Sequence, residues 1–322
     1  MPNPSLDQLE KIQENARGTL PNTPPPETIG RDGITNLQLI AFNELFEVAF
    51  FNELLLNVTN NVEGYHFKDP DDREFVITTL TAILAQEELH VLSANSGLQH
   101  FNIASIQPCR YQFPVSDFDS AIALAATFTN LVLGTLQDVV EVFAAERDFG
   151  LARLIASVIG NEGEQQGWFR IQQGKIPSEL PFLTTSALPF AFTAVQQFTV
   201  PGSCLNINEI KLQTFQPLTI VKTPSTMTGN IIVSWPVSKQ GTRNQTPFSL
   251  TYINQQNLPI VEPLQITSRK ENVVYAEALF PYDQYELNGF TIAAITNSSG
   301  PFPNAGSVAR STVFGPGLIM VN

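Results

Sequence analysis

Residues 37–55 read LQLIAFNELFEVAFFNELL. Leu37, Ile40, Ala41, Val48, Phe51 and Leu55 recur at three- and four-residue spacing, the period of a helix that turns one face to a core. Glu44 falls in the middle of that apolar stripe. The same anomaly recurs twice. In residues 85–95, AQEELHVLSAN, Glu87 and His90 share a stripe with Val76, Leu80, Ile83, Val91 and Ala94, as E-x-x-H. In residues 154–165, LIASVIGNEGEQ, Glu162 and Gln165 share a stripe with Leu151, Leu154, Ile155, Val158 and Phe169, as E-x-x-Q.

On either side of these stretches the periodicity continues, and it predicts four long helices over residues 35–57, 72–96, 117–145 and 149–173. Thr35 caps the first, and Asp71, Asp72 and Glu74 sit near the positive end of the second. The turn between the last two is short enough to make them antiparallel neighbours. A shorter helix is expected over 190–198. Ahead of the bundle, residues 1–33 hold one possible short helix, SLDQLEKIQENA, and then GTLPNTPPPETIG, whose prolines forbid regular structure and leave an extended arm. Beyond residue 206 the pattern becomes short β-branched and aromatic runs, among them NIIVSWPV, FSLTYI and FTIAAITN, separated by Pro, Gly and Asn. The expected architecture is a multi-domain α and β chain: an arm (1–33), a four-helix bundle with one added short helix (34–206), and a β-sandwich-like domain (207–322). The last part shows no catalytic constellation.

Three helices that each aim a carboxylate into the driest seam of a bundle create an energetic problem. A buried, unpaired carboxylate costs several kcal/mol by general experience. A proton, a cation or a metal must neutralise it. One Glu from one helix with E-x-x-H from another is the ligand geometry of di-metal carboxylate bundles. Oxygen donors with one imidazole suit iron or manganese, and zinc less well. The expected ligands are therefore Glu44, Glu87, His90 and Glu162, with Gln165 as a weak ligand or a hydrogen-bond donor to one. The alternative is that these groups pair with one another and hold no metal. The third helix offers no carboxylate near Leu131–Thr135; Asp138 lies a turn away, and Gln137, Glu141 and Asn130 lie on an adjacent stripe. A first ion at Glu44, Glu87 and His90 is thus expected to bind well and a second weakly or not at all.

The chain has 322 residues, 43% hydrophobic, with a formal net charge of −13 and no basic run. Such a chain repels phosphate backbones, so nucleic-acid binding is not expected. No apolar run of about 18 residues is free of charge, so no membrane span is expected. The two cysteines, Cys109 and Cys204, lie in the loop-like contexts PCRY and PGSC; a bridge between them would close a loop of about 95 residues, worth roughly 4–5 kcal/mol on the chain-entropy account. With N-x-[ST] sequons at Asn57, Asn244 and Asn297, the pair points to a secretory route. The polar start MPNPSLDQLEK is not a signal peptide, so a secreted form would have lost its signal already.

The stretches GTLPNTPPP (18–26), LQLIAFNELFEVAFFNELL (37–55), AQEELHVLSAN (85–95), PCRYQFPV (108–115), FTNLVLGTLQDV (128–139), LIASVIGNEGEQ (154–165) and GKIPSELPFLT (174–184) resemble the fungal ferritin-like proteins described as stress-response or late-sexual-development proteins. These are distant relatives of desiccation-related ferritin-like proteins. The resemblance implies a ferritin-like bundle and, in name, a link to stress or development. It matches Glu44 to the ligand of the first helix, Glu87 and His90 to those of the second, and Glu162 to the carboxylate of the fourth. Gln165 stands where the relatives carry histidine, and Phe51 where ferritins commonly carry tyrosine. Two functions are then expected in contention. One is a metal-dependent redox protein. The other, favoured by the missing helix-three ligand, is a non-catalytic extracellular scaffold whose sandwich binds a cell-wall glycan or a protein. A monomer or dimer is expected rather than a ferritin cage.

Overall fold

The computed structural model describes residues 3–237 and 248–322. The chain forms two compact units. The first comprises Met1–Ala126, Val139–Gln173 and Val195–Leu212; the second comprises Thr127–Asp138, Gly174–Ala194 and Gln213–Asn322.

Five helices build most of the first unit: α1 (Leu6–Ala16), α2 (Arg31–Thr59), α3 (Pro70–His100), the two ends of α4 (Phe118–Ala145) and α5 (Phe149–Gln172). Each long helix expected from periodicity is present. Thr35 proves not to be a cap: α2 starts one turn earlier, after Gly30, and the Thr35 hydroxyl donates to the Arg31 carbonyl. Asp69 caps α3 by accepting from the Asp71 N–H, with Pro70 at the first helical position, where its missing N–H costs nothing. Asp117 and Ser120 cap α4 reciprocally. The expected arm contains a real helix. Ser5 and Gln8 form a capping box on α1, and Ile12 and Ala16 of α1 pack with Ala85 and Leu92 of α3.

The register between α2 and α3 sets which acidic residues meet. A Cβ on Gly97 would sit 3.2 Å from Leu37 Cδ1. At the other end Arg73 donates to the carbonyls of Val58 and Thr59. The two helices are therefore antiparallel, with Glu44 level with the His90 turn and Glu47 level with the turn of Glu87. Phe46 lies among Tyr111, Phe113 and Phe198, and Phe51 stacks on Phe169 of α5 at 5.7 Å. Cys109 and Cys204 are joined by a disulfide, and beside it the Arg110 carbonyl accepts from the Val200 N–H. Helices α3 and α4 are each long and apolar enough to cross a membrane, each with an 18-residue window of mean hydropathy 1.3, but core helices of globular proteins share that property.

The second unit carries two antiparallel four-stranded sheets. One has the order β1 (Thr219–Ile220), β2 (Gly229–Pro236), β6 (Val273–Phe280), β5 (Gln265–Lys270); the other has β4 (Ile260–Pro263), β3 (Ser249–Asn254), β7 (Gly289–Thr296), β8 (Thr312–Val321). Side chains from both, including Val233, Trp235, Tyr252, Ala276, Phe280 and Ile295, form one core. The alternate residues Ile253, Phe290, Ile292 and Ala294 face the other way. They pack with Phe190 and Ala191 of α6 (Leu188–Gln196), Leu131 of α4 and Val308 of α8 (Ala305–Ser311). Strand β7 is accordingly buried on both faces. A short α7 (Tyr282–Tyr285) follows β6. At Gly134 any Cβ would run into the Thr184 carbonyl, so only glycine admits this close approach.

Of the sequons, Asn57 is half-buried in the last turn of α2 and Asn297 is exposed just after β7. Asn244 lies outside the described residues.

Candidate metal centre

The apolar faces of α2, α3 and α5 carry Glu44, Glu87 and Glu162 into the interior, where each is 0% exposed. His90, one turn beyond Glu87 on α3, is 14% exposed. Its Nδ1 lies 2.9 Å from Glu87 Oε2, 3.4 Å from Glu44 Oε2 and 3.8 Å from Glu162 Oε1. One potential ligand atom from each of the four residues lies within 4.8 Å of every other. Ligands held at ~2.1 Å from one ion stand about 3.0–3.4 Å apart, from octahedral to tetrahedral geometry. The observed spacing brackets that range.

The electrostatics show what is missing. Neither oxygen of Glu162 has a hydrogen-bond partner, and Glu44 meets only another carboxyl group, that of Glu87. Burial, followed by the negative charge of Glu87, holds Glu44 well above the usual carboxylate range. Burial does the same to Glu162, aided by the charges of Glu47, Glu87 and Glu44. Glu87 differs: burial raises it, but the His90 charge and hydrogen bond, aided by Glu44 and the Gln165 amide, bring it below its ordinary value. His90 is the mirror image. Burial disfavours its imidazolium, yet the Glu87 charge and hydrogen bond, and then Glu162, raise it. The protein itself neutralises one carboxylate and leaves the others dependent on protons or a cation.

Gln165, expected beside the site, donates from Nε2 to Glu87 Oε1 at 2.6 Å. The same amide reaches Gln86 Oε1 at 3.2 Å and Asn161 Oδ1 at 3.4 Å. Among the described residues, no α4 side chain joins the set of four.

The sequence reading overlooked Glu47. It is 0% exposed, neither of its oxygens has a hydrogen-bond partner, and burial, then the charges of Glu87 and Glu44, push it well up. From Glu44 a helix offers two continuations of the same face, three and four residues on. Periodicity selected the apolar one, Val48. The fold turns α2 the other way and buries Glu47 while Val48 stays half-buried. Only the polarity of the residue concealed it, since the spacing E-x-x-E was visible.

Residues 34–175 match the ferritin-like domain family. The chain therefore carries a ferritin-like domain, which spans the helices that hold the four residues. No curated protein matches the chain. The donor set of three carboxylates and one imidazole could hold a divalent metal ion.

Proposed function

We propose that this protein binds a divalent metal ion, iron or manganese before zinc, in its helical unit, and that Glu44, Glu87, His90 and Glu162 are the ligands. One observation carries this reading: Glu44 and Glu162 lie fully buried around His90, Glu162 with no hydrogen-bond partner and Glu44 with only another carboxyl group, that of Glu87. Unpaired buried acids cost stability and persist where something else compensates them. Gln165 orients Glu87 through its amide rather than replacing a ligand, as hydrogen-bond donors around metal sites do. A bound iron or manganese ion would supply redox chemistry. The chain's own contribution is to hold the ligands and leave His90 as the one slightly exposed member.

The disulfide supports a secreted protein, and the resemblance to fungal stress-response and sexual-development proteins supports a role in stress or development. A second reading, a non-catalytic extracellular scaffold whose β domain binds a glycan or protein, draws on the His90–Glu87 pair, which satisfies part of the site without metal.

Elemental analysis of protein purified without chelator separates the two. The metal reading expects at least one ion per chain, and a rise in melting temperature when stripped protein is given Mn²⁺, Fe²⁺ or Zn²⁺. Metal content near zero together with no thermal shift for any of the three ions leaves the scaffold reading.

A further inference from the structure

The fold treats the sequons at Asn57 and Asn297 in opposite ways. The first is wound into the last turn of α2. Val58 is 0% exposed, and the carbonyls of Val58 and Thr59 both accept from Arg73. The Asn57 side-chain amide donates to the hydroxyl of Tyr65, which is buried. A sugar on that nitrogen would displace the bond and push into the packed turn. The sequon at Asn244 lies outside the described residues.

Asn297, Ser298 and Ser299 follow β7, in the loop that leads to α8. Asn297 is exposed, yet its backbone is fixed, because its N–H donates to the Ser311 carbonyl. Thr296 Oγ1 donates to the Ser298 carbonyl at 2.8 Å, and the Gly300 N–H donates to Ser298 Oγ at 3.3 Å. The loop so held borders an open groove of about 410 Å³, whose lining includes Leu258, Pro259, Glu262, Tyr285, Ser299 and Pro301. Ser299 is thus both the third residue of the sequon and part of the groove wall. Two residues of chain span at most about 7 Å, so Asn297 stands at the rim.

The groove suits a sugar. Leu258 is 72% exposed and Tyr285 36%, a leucine and an aromatic ring left in water beside two prolines. A pyranose has an apolar C–H face for such a wall and hydroxyls for the half-buried Glu262 carboxylate. Small-molecule sites combine an apolar lining with a few polar groups in this way. A sugar tethered at the rim needs little affinity of its own, because the tether keeps its effective concentration high.

Resting on the secretory reading above, we propose that Asn297 is an N-glycosylation site, that Asn57 is not one, and that the first sugars on Asn297 lie in the groove over Leu258 and Tyr285. In the transfer, Asn297 Nδ2 attacks the anomeric carbon of an oligosaccharide joined through a diphosphate to a lipid. An N–C bond forms and the C–O bond to the diphosphate breaks. The lipid diphosphate leaves, one amide proton passes to a base, and nothing is oxidised or reduced.

The test uses full-length protein purified from the cells that naturally make it. Peptide:N-glycosidase in heavy-oxygen water turns each glycosylated asparagine into a labelled aspartate, and peptide mass spectrometry reads all three sequons. The expected result is label at Asn297 and none at Asn57. Label at Asn57, or none at Asn297, overturns the proposal. When Asn297 is bare, a closed Cys109–Cys204 bridge or label at Asn244 leaves the secretory reading standing; free thiols with no label anywhere remove that reading too. The groove is tested by the rate at which the same enzyme releases the glycan from native protein. Tyr285→Ala, an exposed change on α7, should speed that release several-fold with the circular dichroism unchanged, and Leu258→Ser should act in the same direction. Release from both variants at the wild-type rate puts the sugar in solvent and overturns its seat in the groove.

Discussion

The interior of the two sheets and the interior around Glu44 treat polar groups in opposite ways. Between the sheets, buried polar atoms are matched. Tyr252 donates to the Leu279 carbonyl at 2.9 Å, Asn254 donates to Asn288, Phe290 and Thr291, and the Thr251 and Thr296 hydroxyls meet at 3.1 Å. Among the described residues from 213 onward, no buried side-chain nitrogen or oxygen lacks a partner. Around Glu44 the same chain leaves the carboxylates of Glu47 and Glu162 without one. A sequence able to satisfy its buried polar groups in one place has not failed to do so by accident in the other. The contrast sets the interior around Glu44 apart from the sheet core.

The largest expected effect concerns the satisfied side. Phe290→Ala empties a site packed by Phe190, Ile253 and Val308 and should cost about 3–5 kcal/mol in chemical denaturation. A loss under about 1 kcal/mol would mean that this core collapses around the void and lacks the fixed packing of a true interior.

Next comes pH. Glu44, Glu47 and Glu162 have raised values in the folded protein, so the folded state holds their protons more firmly than the unfolded chain does. Their contribution is fully present below about pH 4.5 and is lost as pH rises through their folded values. His90, also raised, adds a loss above its ordinary range. Glu87, lowered, contributes above about pH 4.5 and is lost only in stronger acid. Metal-free protein should therefore lose stability as pH rises from 5 to 8, each proton released costing ~1.4 kcal/mol per pH unit. Saturating Mn²⁺ should reverse that slope, because the ligands must be ionised to bind. Parallel stability curves with and without Mn²⁺ would erase the contrast between the two interiors.

Smaller still is Glu162→Gln. In the chelated protein at neutral pH it should raise stability by about 1–2 kcal/mol, since an unpaired acid is replaced by a neutral amide; with Mn²⁺ present it should instead lower the melting temperature. Smallest is Tyr252→Phe, which removes a satisfied hydroxyl and should cost about 1 kcal/mol whatever the metal. Opposite signs for these two substitutions in the metal-free protein are the sharpest form of the comparison.

The helices of the first unit follow from sequence alone, because a 3.6-residue apolar period with Asp117, or with Asp71, Asp72 and Glu74, at its start has few other realisations. So does the inward aim of Glu44, Glu87, His90 and Glu162, since each interrupts an apolar stripe, whereas two lone cysteines could also have stayed thiols and only the fold brings Cys109 to Cys204. The β runs were legible as strands, but their order was not: β2 pairs with β6 and β3 with β7, and such long-range partners leave no mark in local periodicity. Glu47 was settled by packing. The helix permits either the three- or the four-residue step from Glu44, and the rotation of α2 against its neighbours chose the step that buries a fourth carboxylate. The distances of 2.9–3.8 Å that bring acids from three helices onto one imidazole nitrogen likewise depend on how the helices are rotated and set in register, which no single helix encodes.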